Sequence, residues 1–194
     1  MKRAILIVTV LFIAVISTAC INNFAVQELN NKAKIYLENG DYDAAINRLQ
    51  SSIDLDSTIF ETHYNLGVAY IKNKQYKKAI EALSKALDLN SEYADSYYSL
   101  AVAQESYAQE LLEANSETST VTSDDNDDVE DVKVDEDIKK MSVEQRKLTA
   151  IELYTNAVAS YKKYLLKSKD AKDSEDINNQ IKSIEEELSK LGNE

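Results

Sequence analysis

The sequence predicts an all-α fold of stacked helical hairpins, and three observations lead to this class. Apolar residues between Phe60 and Tyr93 recur at helical spacing on both sides of a short polar break at 73–75, which is typical of two antiparallel helices. The preceding segment repeats this pattern at an offset of 34 residues, and a fixed period of this length indicates stacked repeats. The chain has no Pro and only 3 Gly among 194 residues, a composition that suits helices.

The two segments match residue by residue. The pairs at the offset of 34 are Leu29 with His63, Ala33 with Gly67, Tyr36 with Tyr70, Tyr42 with Tyr76, Ala45 with Ala79 and Leu49 with Leu83. With these residues, the Leu66-Gly67 pair and the run Tyr-x-x-Ala-Ile-x-x-Leu at 76–83, the chain resembles the tetratricopeptide repeat (TPR) family. The resemblance implies a TPR-like solenoid of about three repeats. His63 departs from it, because it stands where the family usually has Trp.

The first repeat, 26–59, and the second, 60–93, are each expected to form one hairpin. In the first, we expect Gly40 to take the left-handed conformation that ends a helix and Asp41 to cap the next helix. In the second, Gly67 lies inside a helix, where Gly costs up to about 1 kcal/mol relative to Ala. A Gly at this position indicates close approach of the partner helix, since only a hydrogen projects from it.

The third repeat, 94–168, is predicted to be interrupted by an insert. Its first helix continues to about Ala114, and residues 115–137 then carry ten acidic side chains, one Lys and no aromatic residue. Self-repulsion and the shortage of apolar area predict a disordered acidic insert. After it, Ser142 and Gln145 fit a capping box at the start of the displaced second helix.

A final helix is predicted at 173–192, with Ser174 as its N-cap and Gly192 at its end. Its apolar residues form a single stripe, which consists of Ile177, Ile181, Ile184, Leu188 and Leu191. Two interpretations remain for this stripe. It can cover the open end of the solenoid as a C-terminal capping helix, or it can bind a coiled-coil partner.

The amino terminus has the layout of a secretory signal peptide at 1–19. Two basic residues precede an apolar run from Ala4 to Ile16, and the sequence Ser-Thr-Ala precedes Cys20. The place of this cysteine resembles a bacterial lipoprotein signal, which implies cleavage before Cys20, acylation of its thiol by a fatty acid such as palmitate, and a lipid-anchor tether at 20–25. The expected location is the bacterial cell envelope, lipid-anchored and extracytoplasmic, either periplasmic or at the surface.

Two other interpretations of the amino terminus stay open: a plain secretory signal cut after Ala19, and an uncleaved membrane anchor. Positive charge before an apolar run holds that end of the chain in the cytoplasm. All three interpretations therefore export the repeats.

Composition disfavours several classes of function. The net charge of −12 disfavours a nucleic-acid partner bound through its phosphates. With one Cys and one His, the chain alone cannot assemble a disulfide framework, a Cys- or His-based metal site or a Ser/His/Asp triad. We therefore expect no catalytic residues, no cofactor and no enzyme activity.

Part of the acidic insert matches the ligand spacing of an EF-hand calcium loop. The matching residues are Asp124, Asn126, Asp128 and Asp135. Val129 occupies the position that requires Gly, and the flanks lack the pair of helices. We expect weak, diffuse divalent-cation binding there and no specific metal site.

By resemblance, the first helix of each hairpin lines a concave binding groove. The corresponding residues are Asn30, Asn31, Lys34, Glu38, Tyr64, Asn65, Val68, Lys72, Asp95, Tyr98, Ser99 and Val102. We expect them to contact a protein or an extended peptide. Family members that grip a carboxyl-terminal peptide use Lys, Asn and Arg here, but only Asn65 matches, which disfavours an adaptor of that kind.

The predicted function is that of a membrane-anchored, extracytoplasmic TPR lipoprotein that binds other proteins through this groove. One alternative is a structural subunit of an envelope or outer-membrane assembly complex, held by the final helix and the acidic insert. Another is a solvated spacer. An envelope hydrolase is disfavoured, because no nucleophile is expected to have a base beside it.

Overall fold

The computed structural model describes residues 24–114, 136–168 and 172–193, and all regular elements in these ranges are helices. The chain divides into two compact units, Met1–Ser91 and Glu92–Glu194. The first unit contains α1 (24–38), α2 (Tyr42–Leu55), α3 (Phe60–Lys72) and α4 (Tyr76–Leu89). The second contains α5 (Ala94–Glu113), α6 (Glu136–Lys140), α7 (Val143–Lys167) and α8 (Ser174–Leu191). The predicted all-α fold of consecutive helical hairpins is confirmed.

The two hairpins of the first unit turn in the same way. Gly40 has φ +77°, as predicted, and Lys74, 34 residues later, has φ +55°. The residue after each donates its backbone N–H to a carbonyl five residues earlier, at 2.9 Å and 2.8 Å, which is the helix ending expected around a left-handed residue. Asp41 then accepts a hydrogen bond from the N–H of Ala44 and caps α2, as predicted.

The core of the second hairpin forms around Gly67. A Cβ atom added to Gly67 would lie 2.4 Å from Cγ of Leu83, so α3 and α4 approach too closely there for any side chain. Leu83 itself is fully buried. The predicted close approach of the partner helix is therefore confirmed.

In the second unit, α5 and α7 form an antiparallel pair. Near their middles, Ser160 donates a buried hydrogen bond to Gln104 over 3.0 Å. At one end, Lys167 pairs with Glu92 at 2.8 Å. Gln104 stands 34 residues after Tyr70, and its amide is buried because α7 supplies the Ser160 hydroxyl as a partner.

The structure contains a short helix before α7, α6, that was not predicted. Residues 115–135 lie outside the described residues, but α6 starts at Glu136, inside the predicted insert of 115–137. Ile138 is fully buried and anchors this short helix. The acidic composition predicts disorder up to residue 137, and a single buried apolar residue gives no periodicity that would predict a helix. The capping box of Ser142 and Gln145 at the start of α7 is present as predicted.

The final helix, α8, packs against α7 through its apolar stripe. Ile177, Ile181 and Ile184 are buried within the chain. The prediction that Ser174 caps this helix is wrong, because Asp173 holds the N-cap position and makes no side-chain capping hydrogen bond. Gly192 does follow the last residue of the helix, but in a right-handed conformation (φ −79°). None of the helices in the described ranges combines the length and apolar composition needed to cross a membrane.

Candidate functional site

The groove residues predicted in the first unit all lie on α1 and α3. Those on α1 are Asn30, Asn31, Lys34 and Glu38, and those on α3 are Tyr64, Asn65, Val68 and Lys72. Asn31, Lys34, Glu38 and Lys72 are exposed, and the other four are half-buried. The arrangement offers amide, aromatic and basic side chains to a ligand.

A hydrogen bond places α1 beside α3 in this region. Asn30 Nδ2 donates to Thr62 Oγ1 over 2.9 Å, and Thr62 is fully buried. Asn30 therefore serves partly to hold the two helices together. Its neighbours Asn31 and Lys34 point to solvent and remain accessible to a ligand.

The four groove residues predicted in the second unit lie on α5 and differ in accessibility. Asp95 is exposed, Tyr98 is 40% exposed and Val102 is half-buried. Ser99 is buried, so it offers a ligand little surface. Tyr98 is the principal accessible side chain of this group.

Tyr98 lies against two aromatic rings of α7. Its ring centroid is 5.9 Å from that of Tyr161, with the ring planes 66° apart, and 5.4 Å from that of Tyr164. These are distances and angles that favour edge-to-face aromatic contacts. Tyr161 and Tyr164 are both buried, so Tyr98 forms the outer surface of an aromatic cluster.

The hydroxyl groups of the inner rings donate to carboxylates. Tyr161 OH donates to Glu105 Oε2 over 3.0 Å, and Tyr164 OH lies 3.3 Å from both oxygens of Asp173. Glu105 also accepts a short hydrogen bond from Gln180 Nε2 of α8. A single buried carboxylate thus joins α5, α7 and α8.

Burial controls the ionisation of these groups. It raises the pKa of the Glu105 carboxyl, although the hydrogen bonds from Tyr161 and Gln180 favour the ionised form. Burial and the charge of Glu105 raise the pKa of Tyr161 far above its ordinary value. Burial, with nearby Glu187, Glu105 and Glu113, raises the pKa of Tyr154 to about 12. Both tyrosines are neutral at physiological pH, and Tyr161 donates its hydroxyl proton to Glu105.

A second concavity lies in the first unit, away from the predicted groove residues. It has a volume of about 660 Å³ and is lined by Gln50, Ile53, Asp54, His63, Leu66, Tyr70, Lys78, Glu81, Ala82 and Lys85 from α2, α3 and α4. Gln50 Nε2 donates to Tyr70 OH over 2.8 Å. Sequence reasoning missed this pocket, because the helices that form it are brought together only by packing.

His63, at the margin of this pocket, is buried and makes a hydrogen bond to the backbone. Its Nε2 lies 2.9 Å from the carbonyl oxygen of Ser57. A carbonyl oxygen can only accept, so Nε2 carries the proton. The buried ring thereby ties the loop between α2 and α3 to α3.

Two predicted sites fall outside the described residues: the lipidation site Cys20 and the cation-binding part of the acidic insert. Within 24–114, 136–168 and 172–193, no cluster of three or more His, Cys, Asp or Glu residues is arranged to hold a metal ion.

Two family models match the sequence. One, described as tetratricopeptide repeat, matches residues 60–93, and the other, described as TPR repeat, matches residues 33–74. No curated protein sequence matches the chain.

Solved structures with the same fold include several TPR domains. The first TPR of Spaghetti (RPAP3) bound to the HSP90 peptide SRMEEVD has a TM-score of 0.56 at 17% identity, over 84% of this chain and 93% of that one. The OM64 TPR domain of Arabidopsis has a TM-score of 0.58 at 12% identity, over 84% of this chain and 98% of that one. The TPR2B domain of yeast Sti1 in complex with an Hsp70 peptide has a TM-score of 0.53 at 13% identity, over 84% of this chain and 98% of that one.

At these identities the likeness concerns the fold, and the family models supply the assignment of the repeats. The matched residues include Gly67, whose close approach to Leu83 is seen in the structure. Residues 33–93 therefore carry tetratricopeptide repeats, and the described helices have the all-α fold of consecutive hairpins found in TPR domains.

Proposed function

We propose that this protein is a non-catalytic interaction module, anchored to a bacterial envelope membrane through Cys20, that binds a protein or an extended peptide. The TPR fold is that of a protein-protein interaction module, and related structures hold peptides from HSP90 and Hsp70. The ligand contacts first helices of the hairpins, through Asn31, Lys34 and Tyr64 in the first unit and through Tyr98 in the second.

The main observation behind this proposal is that α3 has both buried core residues and half-exposed residues that a ligand can reach. Leu66, Gly67 and Tyr70 are buried in the core, whereas Tyr64, Asn65 and Val68 remain half-exposed between them along the helix. An aromatic, an amide and an apolar side chain on one rigid helix suit an extended ligand, since the amide binds backbone groups and the other two give contact area.

Photo-crosslinking tests whether a partner contacts Tyr64 and Tyr98. A benzophenone amino acid in place of Tyr64 or Tyr98, expressed in the native membrane, should capture a defined partner. The matched control is the same amino acid in place of Ser84, which is exposed on the second helix of its hairpin. Equal products at Ser84, or no product at Tyr64 and Tyr98, would contradict the proposal.

The membrane anchor is a separate part of the proposal. The apolar run before Cys20 and the small residues at 17–19 support it. Metabolic labelling with a clickable fatty acid should mark the wild-type protein and not Cys20→Ala. Labelling that survives this substitution would remove the lipid anchor from the proposal and leave the interaction face untouched.

A fixed structural subunit is less well supported. That alternative relies on the final helix and the acidic insert as contacts for another protein. Ile177, Ile181 and Ile184 of the final helix are buried within the chain, so these three side chains are not available for such a contact. The insert up to residue 135 lies outside the described residues.

A further inference from the structure

Tyr98 presents an exposed aromatic ring on a buried aromatic support. The ring is 40% exposed, while the Tyr161 and Tyr164 rings behind it are 3% and 9% exposed. The centroid distances of 5.9 Å and 5.4 Å show that the Tyr98 ring contacts both of them. Because packing already holds Tyr98 in place, a ligand that covers it loses little binding energy to ordering the side chain.

Carboxylates surround the aromatic cluster. Asp95 lies three residues before Tyr98 on α5, hence on the same face of the helix, and it is exposed. Glu105 and Asp173 accept hydrogen bonds from the two inner rings. The charged groups that act on the pKa values of Tyr161 and Tyr164 are these three carboxylates. Each of the three rings therefore has a carboxylate beside it, either as a hydrogen-bond partner or on the same face of its helix.

The lysines of this part of α7 are engaged elsewhere. The Nζ atoms of Lys163 and Lys167 lie 5.5 Å and 5.9 Å from the ring centroid of Tyr97, the residue adjacent to Tyr98. Lys167 also forms an ion pair with Glu92 at 2.8 Å. Consecutive residues of a helix project about 100° apart, so Tyr97 and Tyr98 face different directions. These two lysines thus contact Tyr97 and Glu92, whereas Asp95 is the charged residue on the helix face of Tyr98.

We propose that Tyr98 and Asp95 dock a Lys or Arg side chain from an extended segment of a partner protein. A cation is attracted to an aromatic face by the ring quadrupole, and a neighbouring carboxylate adds a charged hydrogen bond. This inference rests on the proposed function and adds the chemistry of the ligand. It assigns a basic ligand, whereas the HSP90 peptide bound by RPAP3 ends in an acidic sequence.

The test uses the full chain and three fluorescent peptides of one length and one Gly-Ser background, with Arg, Gln or Glu at the same alternate positions. Anisotropy at low and physiological ionic strength gives the affinities. We expect the Arg peptide to bind at least about tenfold more tightly than the Gln peptide, and the Glu peptide to bind most weakly.

Variants at the site separate the ring from the charge. Tyr98→Phe keeps the aromatic face and should keep the affinity for the Arg peptide. Tyr98→Leu keeps apolar packing against Tyr161 and Tyr164 but removes the aromatic face, and should weaken binding about five- to tenfold. Asp95→Asn should weaken it about threefold.

General attraction to an acidic protein needs its own control. Asp88→Asn changes the net charge by the same amount as Asp95→Asn, at an exposed position of α4 in the other unit. It should leave the affinity unchanged. Equal affinities for the Arg and Gln peptides, no saturable binding of the Arg peptide, or an equal loss in Asp88→Asn and Asp95→Asn would overturn the inference.

Failure of this inference can be told apart from failure of the proposed function. If crosslinking at Tyr64 captures a defined partner but the peptides are not discriminated, the ligand is not basic and the interaction face stands. If neither experiment detects binding, both fail.

Discussion

Gly40 and Lys74 occupy equivalent turns 34 residues apart, and both adopt positive φ. Gly takes this conformation without strain, whereas a residue with a Cβ pays about 1–2 kcal/mol. The sequence identified the first turn through its Gly. It identified the second only as a polar break, because Lys carries no signal for a left-handed backbone.

Substitutions at these two turns should change the free energy of unfolding in opposite directions. Lys74→Gly relieves the strain and should raise the free energy of unfolding by about 0.5–1 kcal/mol. Gly40→Ala introduces strain without a clash, since no atom lies within 4 Å of the new Cβ, and should lower it by about 1 kcal/mol. Urea unfolding followed by circular dichroism measures both. A lower stability of Lys74→Gly would contradict this account.

At Gly67 the constraint is the short distance between α3 and α4, which leaves no room for a side chain. Gly67→Ala gains up to about 1 kcal/mol of helix propensity, but its Cβ would overlap the branch atom of Leu83 at 2.4 Å. We expect a net loss of about 1–3 kcal/mol in the free energy of unfolding, because Leu83 is fully buried and cannot move aside.

Gly192→Ala is the matched control for Gly67→Ala. Gly192 has φ −79° and follows α8 in a right-handed conformation, and its added Cβ would lie 3.4 Å from the carbonyl oxygen of Leu188. The free energy of unfolding of Gly192→Ala should differ from that of the wild type by less than about 0.5 kcal/mol. Equal effects of the two substitutions would contradict the close-approach explanation.

At the scale of elements, α5, α7 and α8 meet at a polar centre. Glu105 accepts hydrogen bonds from Tyr161 of α7 and from Gln180 of α8. These groups lie 56 and 75 residues from Glu105 in the sequence. Such a centre fixes the register of three helices, because a shifted helix would leave a buried carboxylate without its donors.

Glu105 should make stability depend on pH. Burial raises its pKa in the folded protein above the value of about 4.3 in the unfolded chain. Between these values the folded state binds more protons, so the contribution of Glu105 to stability falls as pH rises through this interval. Each unit of pKa difference contributes about 1.4 kcal/mol.

The measurement compares urea unfolding of wild type and Glu105→Gln from acidic to neutral pH. The stability of the wild type relative to the variant should fall as pH rises above about 4.3 and then level off. Glu144→Gln, at an exposed position of α7, should follow the wild type. A wild-type advantage that grows with pH would show that the hydrogen bonds to Glu105 outweigh its burial.

At the scale of the whole molecule, α8 completes the second unit. It buries three Ile side chains and supplies Gln180 to Glu105. Terminal helices with a polar outer face keep helical repeat proteins soluble. The remaining faces of α8 are mostly exposed and polar.

Deletion of 172–194 should therefore expose apolar surface and remove a donor from Glu105. We expect a lower thermal midpoint, increased binding of the dye ANS and concentration-dependent association in gel filtration. Deletion of 192–194, which leaves α8 whole, should behave like the full chain. A monomeric protein with an unchanged midpoint after the longer deletion would contradict a capping role.

Local periodicity was sufficient to predict the hairpins, the turn at Gly40, the approach at Gly67 and the capping box at Ser142. Each of these depends on residues close in sequence or on the regular offset of 34. The short helix α6 was not predicted, because its anchor is the single buried residue Ile138. The groove residues were predicted by resemblance, and the structure decides which of them is accessible: Tyr98 is, whereas Ser99 is buried.

The periodicity that specifies helical hairpins can be read from residues close in sequence. A helix makes its backbone hydrogen bonds within itself and needs only one apolar face for packing. The aromatic cluster of Tyr98 is specified differently. It requires α5 and α7 to pack at one register across an insert whose length and composition carry no register information. That register follows from close packing and from the pairing of buried polar groups such as Glu105, and only the tertiary structure contains it.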